Sequence, residues 1–249
     1  MDRFLTLAFL FFIGSVCGWV LELFFRRFIS TANPERRWIN PGFCTGPYLP
    51  LYGSGLCLLY LIASMEPLNM IADPVLNKAA LFAMMAFTMT AIEYIAGICA
   101  LKWTKVRLWD YSREWGNIQG IICPKFSAAW ALLGALYYFF VHPYILDALR
   151  WLSQNLAFSF FVGQFFGVFI IDAAHSAQLL AKLKKFADEN DVIVRYESIK
   201  SHIRGAQEAA KKKYRFFSPF RSEQPLGEHL RALRDSFEKQ KNRARTETK

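Results

Sequence analysis

Charge is scarce in the first 181 of the 249 residues, which hold only 12 Lys and Arg and 10 Asp and Glu; residues 182–249 hold the other 18 and 10. The overall net charge of +10 and the 54% hydrophobic content therefore average two unlike parts. A nearly neutral, apolar region of that length excludes an ordinary soluble globule, and the confinement of basic charge to one end excludes an all-basic nucleic-acid binder. Cysteine is sparse and scattered, at positions 17, 44, 57, 99 and 123, with no CxxC and no Cys/His grouping. Neither a zinc site nor a disulfide framework is supported. No GxxxxGK[ST] occurs, so any ATP hydrolysis belongs to a partner.

What is present is a set of apolar runs near the ~20 residues that a bilayer requires. They cover Phe4–Phe25, Pro47–Met65, Ala79–Leu101, Phe126–Leu146 and Leu156–Gln178. The first is too long, and too poor in small-x-small sites, for a secretory leader, and is expected to remain as a span. These runs predict an all-α, polytopic membrane protein with five transmembrane helices. Arg26, Arg27, Arg36 and Arg37 follow the first run, and Lys102, Lys105, Arg107, Arg113 and Lys125 surround the third loop. The other two loops are poor in Lys and Arg. Basic loops stay cytoplasmic, so the N-terminus is expected outside and the C-terminus in the cytoplasm. The predicted division is a transmembrane domain over 1–181 and a basic cytoplasmic tail over 182–249. Segment 143–155 is amphipathic at helical spacing and is expected to lie along the outer interface.

Two loops share a spacing. Arg36-x-Trp38-x-Asn40 is followed by Pro47, and Arg113-x-Trp115-x-Asn117 by Pro124. Each follows an outside-to-inside run bearing a glutamate, Glu22 or Glu93, and precedes an inside-to-outside run, so the two units have the same direction. This suggests a parallel repeat of 1–66 and 79–146, with the fifth span added.

Glu22, Glu93 and Asp172 are the charges that the runs carry to membrane depth, about 5, 12 and 9 Å from the ends of their segments at 1.5 Å per residue. A carboxylate in hydrocarbon costs about 2.5–3.5 kcal/mol or more, so each must face a polar interior or a partner. A shared cytoplasm-facing site is the functional expectation. Local pairing, for instance of Glu22 with Arg26 at i,i+4, is the alternative. The Asn40–Gly55 stretch packs three prolines and four glycines into an apolar, aromatic segment, which predicts a re-entrant segment or broken helix start whose free N–H groups can hold an anion or a carboxylate. The Leu108–Gly120 loop gathers Trp109, Asp110, Tyr111, Ser112 and Asn117. The predicted substrate-binding set is therefore Glu22, Asn40, Glu93, Trp109, Asp110, Tyr111, Ser112, Asn117 and Asp172, with no catalytic residue, metal or cofactor assigned. On the fifth span, Gly163 and Gly167 form a GxxxG face suited to close helix packing.

These residues resemble a bacterial family labelled "Putative ABC-transporter type IV", the CmpB-like permeases. The matching elements are Gly18-Trp19-x-x-Glu22, Asn40-Pro-Gly-Phe-x-x-Gly-Pro47, Pro50-Leu-Tyr-Gly-x-Gly55, Ile92-Glu93-Tyr94 with Gly97, Trp109-Asp-Tyr-Ser112, and Asn117-x-x-Gly120-x-Ile-Cys123. They cover roughly residues 10–135. The resemblance implies an integral inner-membrane protein in which these motifs gather. Ile121 and Pro124 stand where the family usually has a basic residue and a leucine, so the charge balance of the site departs from that of relatives.

The tail continues the helical spacing of the fifth run through Leu179, Leu180, Leu183 and Phe186, passes a basic-aromatic stretch at 211–221, and ends in a second amphipathic helix over Pro225–Lys241. Basic residues interleaved with aromatics beside a membrane favour anionic headgroups; nucleic acid finds no other support in the chain. The resulting expectation is a permease-like transport component that binds a small cationic or proton-coupled substrate at inner-half carboxylates, with a separate ATPase subunit as partner. The alternatives are a membrane-embedded enzyme acting on a lipid or amphiphile at the inner leaflet, and a non-catalytic partner subunit. A homo-oligomer is compatible with each.

Overall fold

Inside a bilayer no water pairs the backbone, so each apolar run must satisfy its own N–H and C=O groups by forming a helix. The computed structural model describes residues 3–30, 33–68, 71–155, 157–209 and 225–235. Its elements are α1 (Arg3–Phe28), α2 (Pro50–Ala63), a 3₁₀ turn (Glu66–Leu68), α3 (Pro74–Thr104), β1 (Val106–Arg107), α4 (Pro124–Leu136), a π turn (Tyr137–Val141), α5 (His142–Gln154), α6 (Ala157–Asn190), β2 (Val194–Arg195) and α7 (Tyr196–Ala209). A further helical stretch, α8, covers 226–235. Five helical stretches are long and apolar enough to cross a membrane: Arg3–Phe28, Pro50–Leu68, Pro74–Thr104, Pro124–Trp151 and Ala157–Asn190. The protein is an all-α, multi-pass membrane protein.

Boundaries follow local chemistry. α2 and α4 open on Pro50 and Pro124, whose missing N–H costs nothing in a first turn. The Asp73 carboxylate takes the N–H groups of Val75 and Leu76 at 2.8 and 3.0 Å at the start of α3. The 143–155 segment keeps its amphipathic pattern, but it continues the fourth stretch rather than standing apart. Pro143 can give no N–H to the carbonyl of Phe139, and the π turn that precedes it absorbs the fault without ending the helix.

The chain divides into two compact units. The first comprises 1–99 and 110–177. Its larger core joins Leu59, Ile62 and Ala63 of α2, Leu81, Met85 and Met89 of α3, and Trp130 of α4. Phenylalanines of α1 and α6 stack in a ladder, with Phe12 and Phe165 ring centres 4.6 Å apart. α1 and α2 cross closely because glycines remove the side chains between them. A Cβ on Gly18 would lie 2.2 Å from Tyr52 Cβ, and one on Gly53 would lie 2.2 Å from Ser15 Oγ. The small-residue face that packs is thus Gly14 and Gly18 of α1. Gly163 and Gly167 meet nothing within 4 Å among the described residues. At the other end of the α2–α3 connection, Glu66 accepts the Tyr138 hydroxyl at 2.7 Å and pairs with Lys78 at 3.6 Å.

The second unit comprises 100–109 and 178–249. β1 and β2 pair in parallel, Val106 with Val194 and Arg107 with Arg195. Val106, Leu183, Ala187, Ile199, Ile203 and Leu230 are buried, giving these tail residues a core of their own. Lys105 bridges to Asp188 at 3.3 Å within the same unit. α6 runs on to Asn190, beyond the expected end near Gln178. The basic-aromatic stretch at 211–221 and the end of the predicted last helix lie outside the described residues.

Candidate functional site

The proline- and glycine-rich segment before α2 enters the bundle instead of capping it. Leu49 donates its N–H to the carbonyl of Ser15 at 2.9 Å, about 20 Å along α1 from Phe28 at 1.5 Å per residue. Asn40 organises the segment. Its Oδ1 accepts from Trp19 Nε1 at 2.9 Å and from Gly42 N at 3.1 Å, while its Nδ2 donates to the carbonyls of Cys44 and Thr45. Asp172 on α6 holds the far side. It accepts from the N–H of Thr45 at 3.1 Å and of Gly46 at 2.8 Å, from the Tyr48 hydroxyl, and from Ser176 Oγ at 3.4 Å. A carboxylate has about four acceptor sites, and all are used. The anion expected at this broken helix start is therefore the chain's own Asp172. Cys44 beside it is buried; burial first, and then the Asp172 charge, push its thiol up to about 11. Burial, reinforced by the hydrogen bond to Asp172, likewise holds the Tyr48 hydroxyl well above its ordinary range, so it remains a proton donor.

Glu22 is also paired. Arg26 Nε donates to Oε1 at 3.0 Å, the i,i+4 pairing that the sequence allowed, and Tyr52 donates its hydroxyl to Oε2 at 3.0 Å. Tyr52 reaches this position because Gly18 leaves room for its ring. The same ring packs on Trp130, with centres 4.8 Å apart.

Glu93 differs. It is 3% exposed, and its Oε1 accepts the Tyr111 hydroxyl at 3.1 Å. Its Oε2 is buried with no hydrogen-bond partner among the described residues. Trp130 lies beside the carboxylate without completing a hydrogen bond to that oxygen, and the Glu22 charge acts on it from nearby. Tyr111 is brought in by its loop. The Tyr111 N–H binds the Gly120 carbonyl at 2.8 Å, and the ring stacks on Phe126 of α4 with centres 4.3 Å apart. Asn117 closes the loop, accepting from Gly120 N at 2.9 Å and donating to the carbonyls of Glu114 and Ser112. Burial, and then the Glu93 and Glu22 charges, raise the Tyr111 hydroxyl above its ordinary range, so it too stays a donor.

The structure thus gathers Glu22, Glu93 and Tyr111 into one cluster with Tyr52 and Trp130. Asn40, Asn117 and Asp172 are engaged in holding loops. Asp110 and Ser112 are exposed and joined in a turn in which the Ser112 N–H meets Asp110 Oδ1 at 3.1 Å. Trp109 belongs to the second unit. Sequence reading missed Tyr52, Tyr48 and Trp130 as members of the polar interior. Tyr52 and Tyr48 lay within the quoted proline-glycine motifs, where a buried aromatic hydroxyl next to an intramembrane acid was the available signal.

No curated protein and no solved structure matches the chain. A family model described as "Putative ABC-transporter type IV" matches residues 9–177, past the ~135 to which the motifs alone extended. The chain belongs to that family of membrane transport components.

Proposed function

We propose that this chain is the permease-like membrane component of a transporter, and that Glu93 receives the positive charge of the substrate, as a proton or as a cationic group on a small solute. The observation that carries this is Oε2 of Glu93, on a residue 3% exposed and with no hydrogen-bond partner among the described residues. An intramembrane carboxylate without a counter-charge costs several kcal/mol, and arriving positive charge removes that cost. Glu22 adds a second negative charge nearby, and the faces of Tyr52, Tyr111 and Trp130 suit an organic ammonium. Asn40, Asn117 and Asp172 serve by setting the two loops that bring Tyr52 and Tyr111 to the acids.

The wider reading follows. The loops rich in Lys and Arg face the cytoplasm of a bacterial cell, placing 182–249 inside as a basic tail and the N-terminus outside. Residues 1–66 and 79–146 act as parallel repeats, each presenting one glutamate. A separate ATPase subunit supplies energy, since the chain has no phosphate-binding loop motif.

The test compares wild type with Glu93→Gln, both purified from their own membranes into lipid nanodiscs. Mass spectrometry should find a cationic solute with the wild type and not with the variant, or infrared spectroscopy a protonated-carboxyl band that the variant loses. Identical solute content together with identical carboxyl bands overturns the assignment.

A further inference from the structure

Within the second unit, the C-terminal half of α6 and α8 face each other across a groove of about 660 Å³. This is the size range of small-molecule sites. Lys182 and Lys185 line one wall and Arg231 and Arg234 the other, against a single lining carboxylate among the described residues, Glu189. Each basic pair is spaced i,i+3, so like charges crowd on one face of each helix, which is unfavourable unless an anion sits between them. The cations are poorly served by the protein itself. Lys185 approaches Glu189 only at 3.9 Å, and Arg234 binds the neutral Asn190 Oδ1 at 2.6 Å while meeting its exposed neighbour Asp235 at 3.4 Å. Lys182 and Arg231 have no anionic partner among the described residues. Phe186 and Leu230 add apolar surface to the lining.

We propose that this groove is a binding site for a phosphate-bearing ligand, with two cations on each wall. Arginine forks suit phosphate oxygens bidentately, lysines add point charge, and the apolar lining suits the carbon part of the same molecule. The phosphate comes either from a soluble phosphoryl compound or from the headgroup of an anionic lipid. The site is independent of Glu93.

The experiment uses the full chain in nanodiscs of phosphatidylcholine alone and, separately, of phosphatidylcholine with phosphatidylglycerol, and titrates inorganic pyrophosphate at about 0.15 M salt by calorimetry. Saturable binding is expected in phosphatidylcholine. Lys182→Gln combined with Arg231→Gln should weaken it about tenfold or more, and Glu189→Gln should tighten it severalfold. The tightening variant keeps the test sharp should the double variant fold poorly. Glu93→Gln should leave binding unchanged. If phosphatidylglycerol competes with pyrophosphate, the lipid headgroup is the source; if it does not, a soluble compound is. Binding that is absent from wild type in both nanodiscs, or indifferent to both sets of substitutions, overturns the proposal.

Discussion

Tyr111 places its hydroxyl 3.1 Å from Oε1 of Glu93 and so gives a membrane-buried acid a hydrogen bond from a loop 18 residues further along the chain. The position of that loop and the electrostatics of the acid are therefore coupled. Whatever charge reaches Oε2 is felt at the Tyr111 ring stacked on Phe126.

Tyr111→Phe should cost about 1–3 kcal/mol of stability, because it strands the remaining oxygen of a buried acid. In a Glu93→Gln background the same substitution should cost distinctly less, since no charge is left to strand. Thermal denaturation of the four proteins in one detergent reads the cycle, and equal costs in both backgrounds would refute the coupling.

Asp172→Ala removes the acceptor for Thr45 N, Gly46 N and the Tyr48 hydroxyl together. A loss on the order of 3 kcal/mol is expected, along with loosening of the segment before α2. Cys44, 4% exposed in the native chain, should then become open to maleimide in a protein whose other four cysteines are serine. Labelling at the native rate would show that Asp172 does not hold this segment.

Alkylation of native Cys44 should rise with pH well beyond neutrality. With its thiol pushed up to about 11, about one in a thousand is ionised at pH 8, and the thiolate is the reactive form. A rate that levels off below pH 9 would contradict the burial that raises it.

Gly18→Ala should destabilise the α1–α2 crossing by about 1–3 kcal/mol, since the new methyl would lie where Tyr52 now sits. Gly163→Ala and Gly167→Ala should stay within about 0.5 kcal/mol, because an added Cβ at either would meet nothing within 4 Å among the described residues. Melting temperatures of the three variants check this, and the reverse ranking would invert the packing.

In the second unit, His229 is buried and titrates below its usual value, first through burial and then through the nearby His202, with Glu228 opposing. The unfolded chain therefore takes up this proton before the folded one does. The contribution is complete above the ordinary histidine range and is lost as pH falls below it. Proteolysis of the α8 region should accelerate between neutrality and mildly acidic pH, and His229→Gln should flatten that dependence.

Much of the fold was legible because membranes leave few choices. An apolar run such as Phe4–Phe25 must be a helix, whatever surrounds it, and it forms most of the 26-residue α1. The end of α6 was harder to see, since the residues after Gln178 are amphipathic and become helical by packing Leu183 and Ala187 into the second unit's core. Composition alone also left open whether these tail residues fold. They do, because Val106 and Val194, 88 residues apart, pair within one unit.

That three carboxylates enter apolar helices, and that the fifth span carries a GxxxG face, follows from residue type and helical spacing, which are local properties. Which of these groups is engaged depends on how distant segments fold back upon them. Asp172 is held by a segment 127 residues before it and Glu22 by Arg26 and Tyr52, while of the three carboxylates Glu93 keeps an oxygen without a hydrogen-bond partner among the described residues. Likewise Gly14 and Gly18 meet α2, while Gly163 and Gly167 meet nothing among the described residues. Pairing and close packing depend on which distant backbone returns to a given depth in the bundle, and no local pattern encodes that distance.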